Sequence, residues 1–433
     1  MLFRKIKGVR IEGNKQMSRC APLRDYLDPP VVSIPLLQGM SVLKPAVEVG
    51  ANVKIGDIIA YREGFGAMPI HASIAGKVTA IKKVWHASGR MVEAVEIEND
   101  HSGALSDSIQ PEKNPDGLDK EALIQKMIDA GLSGLGGAGF PTYIKYQTKC
   151  PIDTVIINAI ECEPYLTCDF LMSIKYPEKL VKGLHYFMKA AGAEKGVIAY
   201  KAYNQAVEDA VKPYLERFPG ITTFPLKDVY PAGWEKYVTE AVTGKTYPKL
   251  PSQVGVIVNN AGTAIAYADM VENNIPLIAR NITITGEGIT NPQNFYVPFG
   301  TKVAELVALC GGYQEGLDPK YAWYIAGGPM TGKAILIDDL VVNDTLGAVI
   351  VIPTPKEKLH PECLGCGKCA DACPAFLTPT EIKRAYDMKD ETAIRNLQAD
   401  KCIACGLCSY VCPSHIEITD AVVKARDSLK KGA

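Results

Sequence analysis

Two cysteine runs near the end of the chain constrain it most: Cys363, Cys366, Cys369 and Cys373-Pro374, then Cys402, Cys405, Cys408 and Cys412-Pro413. Each reads C-x2-C-x2-C-x3-C-P, a spacing that holds [4Fe-4S] cubanes. Three thiolates separated by two residues in a tight turn can each face a corner of one cube. The fourth, followed by a helix-stopping proline, points toward the neighbouring cube. The spacing therefore predicts one cluster on Cys363, Cys366, Cys369 and Cys412, and another on Cys402, Cys405, Cys408 and Cys373. Other readings fit less well. Zinc ribbons use C-x2-C pairs split by longer loops, and a disulfide framework belongs to short secreted chains. A chain so equipped carries electrons.

With 433 residues there is room for about three domains. The 47 basic and 48 acidic side chains leave no charge excess that would favour nucleic acid or anionic lipid. The opening Met1-Leu2-Phe3-Arg4-Lys5 shows no secretory pattern. The longest apolar runs, such as Gly347 to Pro353, fall far short of the ~20 residues of a membrane span, so a membrane role is expected to be peripheral. The remaining cysteines, Cys20, Cys150, Cys162, Cys168 and Cys310, follow no pattern and suit a reducing, cytoplasmic compartment. Cys162 and Cys168 read as small packing residues.

Short runs rich in Val and Ile, punctuated by Gly and Asp, fill the stretch from Val31 to about Ile97: Val47-Glu48-Val49, Val53 to Ala60 and His71 to Val78. They predict strands of a small β-sandwich or barrel. The polar stretch from Asn99 to Asp119 reads as a linker. A helix is expected over Lys120 to Ala130, breaking at Gly131 into the loop Gly134-Leu135-Gly136-Gly137-Ala138-Gly139-Phe140-Pro141-Thr142. Then come a buried strand, Thr154 to Ala159, helices over Pro177 to Ala191 and Asn204 to Phe218, and strands at Gly196 to Tyr200 and Val254 to Val258, which is an α/β alternation. Short strands at Ile282 to Thr285 and Phe295 to Pro298 around a helix at Lys302 to Cys310 fit a β-grasp-like unit ending near Pro353. The cluster region is expected from about Leu359, with a polar helical insert over Thr380 to Asn396.

Gly134-x-Gly136-x-x-Gly139 satisfies the letter of the dinucleotide fingerprint, but that motif needs a strand before it and a helix after it. Here a helix precedes and Phe140-Pro141 follows. Four glycines in this loop still leave backbone N–H groups able to wrap a phosphate, and Lys145 is near enough in sequence to add a charge; a tight turn without ligand is the plainer alternative. Beyond the next strand stands Asn158-Ala159-Ile160-Glu161-Cys162-Glu163-Pro164. Ligands of α/β sheets collect at such strand ends, so these side chains suit a flavin ring edge and its hydroxyls, against the alternative of a solvated acidic turn. Asn259-Asn260-Ala261-Gly262-Thr263 repeats the theme.

Several segments together, "GLGGAGFPTYIK", "NAIECEPYLTCD", "VIVNNAGTA", "YIAGGPMTG" and the two cysteine motifs, resemble the RnfC family of ion-translocating ferredoxin:NAD+ oxidoreductases. The first is similar to the flavin-binding subunit of respiratory complex I as well. The resemblance runs from about Ile34 to Val423. The stretch "VEVGANVKIGDIIA" to "IHASIAGKVTAI" is similar to biotinyl and lipoyl carriers, but the region Tyr61 to Met68 lacks the carrier lysine, so a swinging arm is not expected there.

The resemblance implies an FMN held by Gly134, Gly136, Gly137, Gly139 and Lys145 around its phosphate. Asn158, Glu161, Glu163, Asn259, Asn260 and Thr263 would line the isoalloxazine and nicotinamide. Tyr230-Pro231-Ala232-Gly233-Trp234-Glu235-Lys236 resembles the family's "YPQGGEK" stretch and adds Gly233 and Glu235 to that set. Trp234 replaces a small residue there. The opening Lys7 to Lys15 lacks the His-Pro-Pro element of the family's usual start, and no long Ala/Lys-rich tail follows the clusters.

The implied architecture is α/β and α+β multidomain. Residues 1–100 would form an N-terminal barrel-sandwich module, 115–272 an α/β FMN-binding domain, 275–353 a β-grasp (SLBB-like) domain, and 356–433 a ferredoxin-type 2[4Fe-4S] domain. The implied activity is hydride exchange between NAD(H) and FMN with single-electron transfer through two clusters. The setting would be the cytoplasmic face of a bacterial membrane, with the other Rnf subunits and a ferredoxin as partners. The rival is a soluble relative feeding electrons from NADH to a dedicated enzyme such as an amino-acid reductase.

Overall fold

In the computed structural model, residues 6–39, 41–336, 338–354 and 362–431 are described. The opening Met1 to Lys5 and the expected start of the cluster region near Leu359 lie outside them. After a strap and a short 3-10 turn at Lys15–Met17, an antiparallel sheet runs in the order Val31–Pro35, Met91–Asn99, Gly76–Trp85, Asn52–Val53. It closes on a smaller sheet of Lys44–Pro45, Ile58–Tyr61 and Ile70–His71. Val32, Ile34, Ile59, Val78, Val95 and Ile97 fill the space between them. Each such side chain, fully buried, stabilises by roughly 1.5–3 kcal/mol. All three expected runs differ, and His71 to Val78 is split between the strands Ile70–His71 and Gly76–Trp85. Val47-Glu48-Val49 enters a turn at Gly50 (φ 96°) and forms no strand, and the run Val53 to Ala60 is cut by the turn in which Lys54 N–H donates to Asp57 Oδ2 at 2.8 Å.

The polar linker carries one buried anchor, Ile109. It hands over to helix Lys120–Asp129, capped by Asp119 accepting from Ala122 N–H at 2.8 Å. A parallel sheet follows, ordered Ile221–Leu226, Lys195–Lys201, Thr154–Ala159, Val256–Asn260. Helix Pro177–Ala191 starts on a proline and stops at Gly192 in the left-handed region, and buries Leu180, Val181, Leu184 and Phe187. Phe187 stacks on Tyr146 and Tyr267 with centroids 5.3 and 4.5 Å away. Val254 falls in a 3-10 turn, so the last strand starts two residues later than expected.

The third unit is a mixed sheet ordered Leu23–Asp25, Gln293–Pro298, Ala279–Thr285, Ala348–Pro353, Ala322–Ala326, Lys333–Ile335. Its edge strand Leu23–Asp25 comes from the start of the chain, ahead of the barrel-sandwich, and pairs in parallel with Gln293–Pro298. In the cluster unit the expected single insert is two helices, Pro379–Asp387 and Glu391–Asn396. The break is local chemistry: Lys389 sits at φ 56° and Asp390 caps Ala393 N–H at 2.9 Å. Ile382, Ile394, Ile418 and Val422 form the core of this unit.

Candidate functional site

A cavity of about 590 Å³ opens beyond the carboxyl ends of Thr154–Ala159 and Val256–Asn260. Gly136, Gly137, Asn158, Glu161, Glu163, Gly233 and Asn260 line it. Thus seven of the thirteen expected cofactor residues converge on one space. The other six do not line it, and most of them hold the ones that do. Gly134 N–H donates to Phe140 O and Leu135 N–H donates to Thr263 Oγ1, both at 2.9 Å, so the loop is tied at its base and Gly136-Gly137-Ala138 form the wall. Gly139 packs against Thr345, whose Cγ2 would lie 2.8 Å from an added Cβ. Asn259 is buried and donates to Tyr146 Oη at 2.5 Å. Lys145 turns away from the cavity: its ammonium donates to Val258 O at 2.6 Å and lies 3.4 Å from Glu235 Oε1.

Sequence reasoning missed six contributors, all distant along the chain from the expected set. Arg280 is 2 % exposed and reaches Leu135 O (3.3 Å), Asp344 O (2.6 Å) and Asn281 O (2.9 Å), a buried guanidinium behind the glycine wall. The hairpin tip after Trp85 brings His86, Ser88 and Arg90 from the barrel-sandwich to the rim. Lys333 lines the cavity and donates to Ser88 O at 3.0 Å. Gly39 packs so that a Cβ would stand 3.2 Å from Gly139 O. The one signal in the sequence was the lone Arg within the strand Ala279–Thr285, since a charge is rarely fully buried without a partner.

One side of the cavity is acidic. Asp169 Oδ2 accepts from Asn260 Nδ2 at 2.6 Å and its Oδ1 from Asn281 Nδ2 at 3.0 Å. Glu161 accepts from Asp169 N–H at 2.8 Å and faces Lys15 Nζ at 3.5 Å. Burial pushes the Glu161 carboxyl up and the Lys15 ammonium down, and each opposes the other's shift. Glu163 is likewise raised by burial, against the Met330 N–H that donates to it at 3.1 Å and the Thr331 hydroxyl. Burial holds His86 down to about 4, so it is neutral near pH 7, and pushes the Cys162 thiol up to about 11. Glu161, Cys168 and Asp169 lie close together but already have partners, Cys168 Sγ donating to Gly347 O at 3.4 Å.

These residues fit a flavin. The Gly136-Gly137 wall has no Cβ, and helix Ala261–Asn273 presents its N-terminus there, capped by Asn260 accepting from Gly262 N–H at 2.8 Å. With Arg280 behind, this end suits a phosphate. Gly233 and Gly328 let the backbone come close: a Cβ would meet Cys162 Sγ at 2.9 Å in the first and Glu163 Oε2 at 2.2 Å in the second. Trp234 precedes helix Glu235–Thr243 and is not among the lining residues.

The cysteines also fit their clusters. Cys402, Cys405 and Cys408 line one small apolar hollow together with Cys373. Cys369 and Cys412 share the buried core of the same unit, while Cys363 and Cys366 are exposed. Burial pushes Cys405 up to about 12 and Cys408 up to about 11, so iron must displace protons to gain these thiolates.

Four family models match in order along the chain: an RnfC barrel sandwich hybrid domain over residues 3–102, a Nuo51 FMN-binding domain over 127–269, an SLBB domain over 281–334 and a 4Fe-4S dicluster domain over 357–413. A component of the Na+-translocating ferredoxin:NAD+ oxidoreductase complex of Acetobacterium woodii is 33% identical over 382 residues, spanning 87% of this chain and 85% of that one. The counterpart from the proton-translocating complex of Clostridium ljungdahlii is 32% identical over 87% of this chain and 82% of its own. A component of the ion-translocating oxidoreductase complex of Rhodobacter capsulatus is 33% identical over 87% and 73%. A chain of an NAD+-reducing [NiFe]-hydrogenase in the H2-reduced state shares the fold, with a TM-score of 0.52 and 20% identity over 71% of this chain and 61% of that one. Among the described residues no helix is long and apolar enough to cross a membrane.

Proposed function

The chain belongs to the RnfC family, and as such is an electron-transfer subunit of an oxidoreductase with an FMN domain and a [4Fe-4S] dicluster domain; on that premise we propose that NAD(H) and FMN meet in the cavity at the strand ends. The convergence of seven residues on that one space carries the reading. When bound, the flavin supplies the exchange between a hydride and the single electrons that cubanes accept, so that each NADH oxidised gives NAD+, one proton and two electrons. The chain's own work is positioning. Gly136 and Gly137 admit the phosphate without steric hindrance, and Asn260 and Arg280 fix the wall behind them. Asn158 holds the Gly233 carbonyl at 2.8 Å, which keeps the backbone of that turn against the cavity. Arg90 and Lys333 at the rim suit the phosphates of an incoming nicotinamide nucleotide.

In this reading the first cluster sits on Cys363, Cys366, Cys369 and Cys412, and the second on Cys402, Cys405, Cys408 and Cys373. The protein attaches peripherally to membrane-embedded subunits on the cytoplasmic face and exchanges electrons with ferredoxin or a ferredoxin-like subunit. Two measurements test this. Protein purified without oxygen should release FMN on denaturation; material with iron but no flavin contradicts the cavity assignment. A tagged chain should recover membrane-embedded subunits from detergent extracts; recovery of only a soluble reductase contradicts the complex.

A further inference from the structure

Residues 6–25 run across the molecule as a strap before the barrel-sandwich begins, and several of its contacts fall between the cavity and the second cysteine loop. Val9 pairs with Tyr230 through two backbone hydrogen bonds of 2.8 Å. Glu12 N–H donates to Tyr410 Oη at 3.3 Å, and Tyr410 ends the short helix that follows Gly406. Gly13 O accepts from Tyr165 N–H at 2.7 Å. Lys15 closes the strap with its buried ammonium on Leu166 O and beside Glu161.

Tyr230 is the centre of this arrangement. It is 2 % exposed, and its hydroxyl donates to the backbone oxygen of Cys405 at 2.8 Å. Three residues on, Gly233 lines the cavity. A second tie runs beside the first: Glu163, on the cavity wall, accepts from Met330 N–H, and Gly406 lies so close to Met330 that a Cβ would stand 2.7 Å from its carbonyl oxygen. The loop at 363–369 is placed otherwise. The hydrogen bonds it makes among the described residues, including Gly365 N–H to Cys363 Sγ, Cys369 Sγ to Thr380 Oγ1 and the Ala370 and Asp371 N–H groups to Gly367 O, stay within the cluster unit.

We propose that the N-terminal strap and Tyr230 form a clamp that fixes the loop of Cys402, Cys405 and Cys408 against the wall of the cavity, with Tyr230 as the positioning residue. The proposal rests on the flavin reading of that cavity. A buried hydroxyl on the carbonyl of a cluster cysteine sets where the loop lies, and small displacements between redox partners are costly in rate. The strap supplies what Tyr230 needs, because Val9 fixes its backbone in both directions.

Tyr230→Phe removes the hydroxyl alone, and Val9→Pro removes the Val9 N–H from the strap's bridge; both are made in the full-length protein carrying its cofactors. In both variants amide exchange across 402–410 should quicken by roughly tenfold, the effect of losing one buried hydrogen bond. In a redox titration followed by EPR, one cluster's midpoint should move while the other's stays. Reduction of the clusters by NADH should slow by roughly tenfold or more, with bleaching of the flavin absorbance unchanged. Unchanged exchange and unchanged midpoints in both variants would overturn the clamp, as would equal shifts of both clusters. Failure of the wild-type flavin absorbance to bleach with NADH sinks the flavin reading instead, and the exchange and midpoint results still judge the clamp.

Discussion

Cys363 and Cys366 are exposed and Leu364 between them is 70 % exposed, whereas the matching Cys402 and Cys405 are half-buried, with Tyr230 and Met330 seated on their loop. Gly367 and Gly406 occupy the same place in the two motifs, and both have positive φ, 73° and 80°. A Cβ at Gly367 would meet open space, while one at Gly406 would meet a backbone oxygen at 2.7 Å. Thr380 and Thr419 match as well, yet their hydroxyls lie 3.9 Å from Cys369 Sγ and 3.1 Å from Cys408 Sγ. Arg426 adds a donor to Cys402 O at 3.0 Å. A repeated motif gives two like cages; the packing around them makes one an inward-facing site and the other an outward-facing one. In this account the inner loop serves the cavity and the outer loop serves a partner.

The sharpest way to break that contrast is to remove one cluster at a time. Cys405→Ser should abolish reduction of the remaining cluster by NADH. Cys366→Ser should leave reduction of the inner cluster intact and abolish delivery to an external acceptor, both followed by EPR after confirming assembly with dithionite. Reversed outcomes would invert the assignment. Next in size, Gly406→Ala combines left-handed strain with a clash and should cost about 3 kcal/mol in denaturant unfolding of the holoprotein, against about 1 kcal/mol for Gly367→Ala, which meets strain alone. Equal losses would show that the inner loop is not pressed against Met330.

A smaller effect is expected at the threonines. With sulfur bound to iron, the Thr419 hydroxyl is a donor to Cys408, and a donor favours the more negative, reduced cluster. Thr419→Val should therefore lower the midpoint of one cluster, and Thr380→Val should move the other less. The smallest difference concerns the residue just before the second cysteine of each motif: Ala404 adopts φ 55° where the outer loop has Gly365 at φ 65°. Gly365→Ala should cost about 0.5–1 kcal/mol and Ala404→Gly should stabilise by a similar amount, because left-handed strain outweighs the chain entropy that a glycine adds. Thermal unfolding of the holoprotein reads both.

Much of this was legible because local signals sufficed. Thr154–Ala159 is buried throughout except at Asn158, and helix Pro177–Ala191 begins on Pro and ends before Gly192, so both stand at the residues expected of them. The acidic strand end and Asn260 reach the cavity because strand ends in a parallel sheet converge by topology. What sequence could not show is what folding brings from afar. The hairpin tip with His86 and Arg90, the Gly327–Gly328 turn and Arg280 join the cavity only through packing of three units. Lys145 was expected at the phosphate because it follows the glycine loop closely, but a short helix, Thr142–Tyr146, carries its ammonium to Val258 O. The inequality of the cysteine loops is invisible for the same reason, since Tyr230 and Met330 are remote from both in sequence.

Anaerobic titration of the cofactor-loaded chain with NADH, followed by visible absorbance and EPR together, tests the central claim most directly. The account predicts loss of flavin absorbance and the appearance of a reduced [4Fe-4S] signal in the same titration, with iron for two clusters in each polypeptide. Iron for one cluster or fewer, or a flavin and clusters that stay oxidised in the presence of excess NADH, would contradict it.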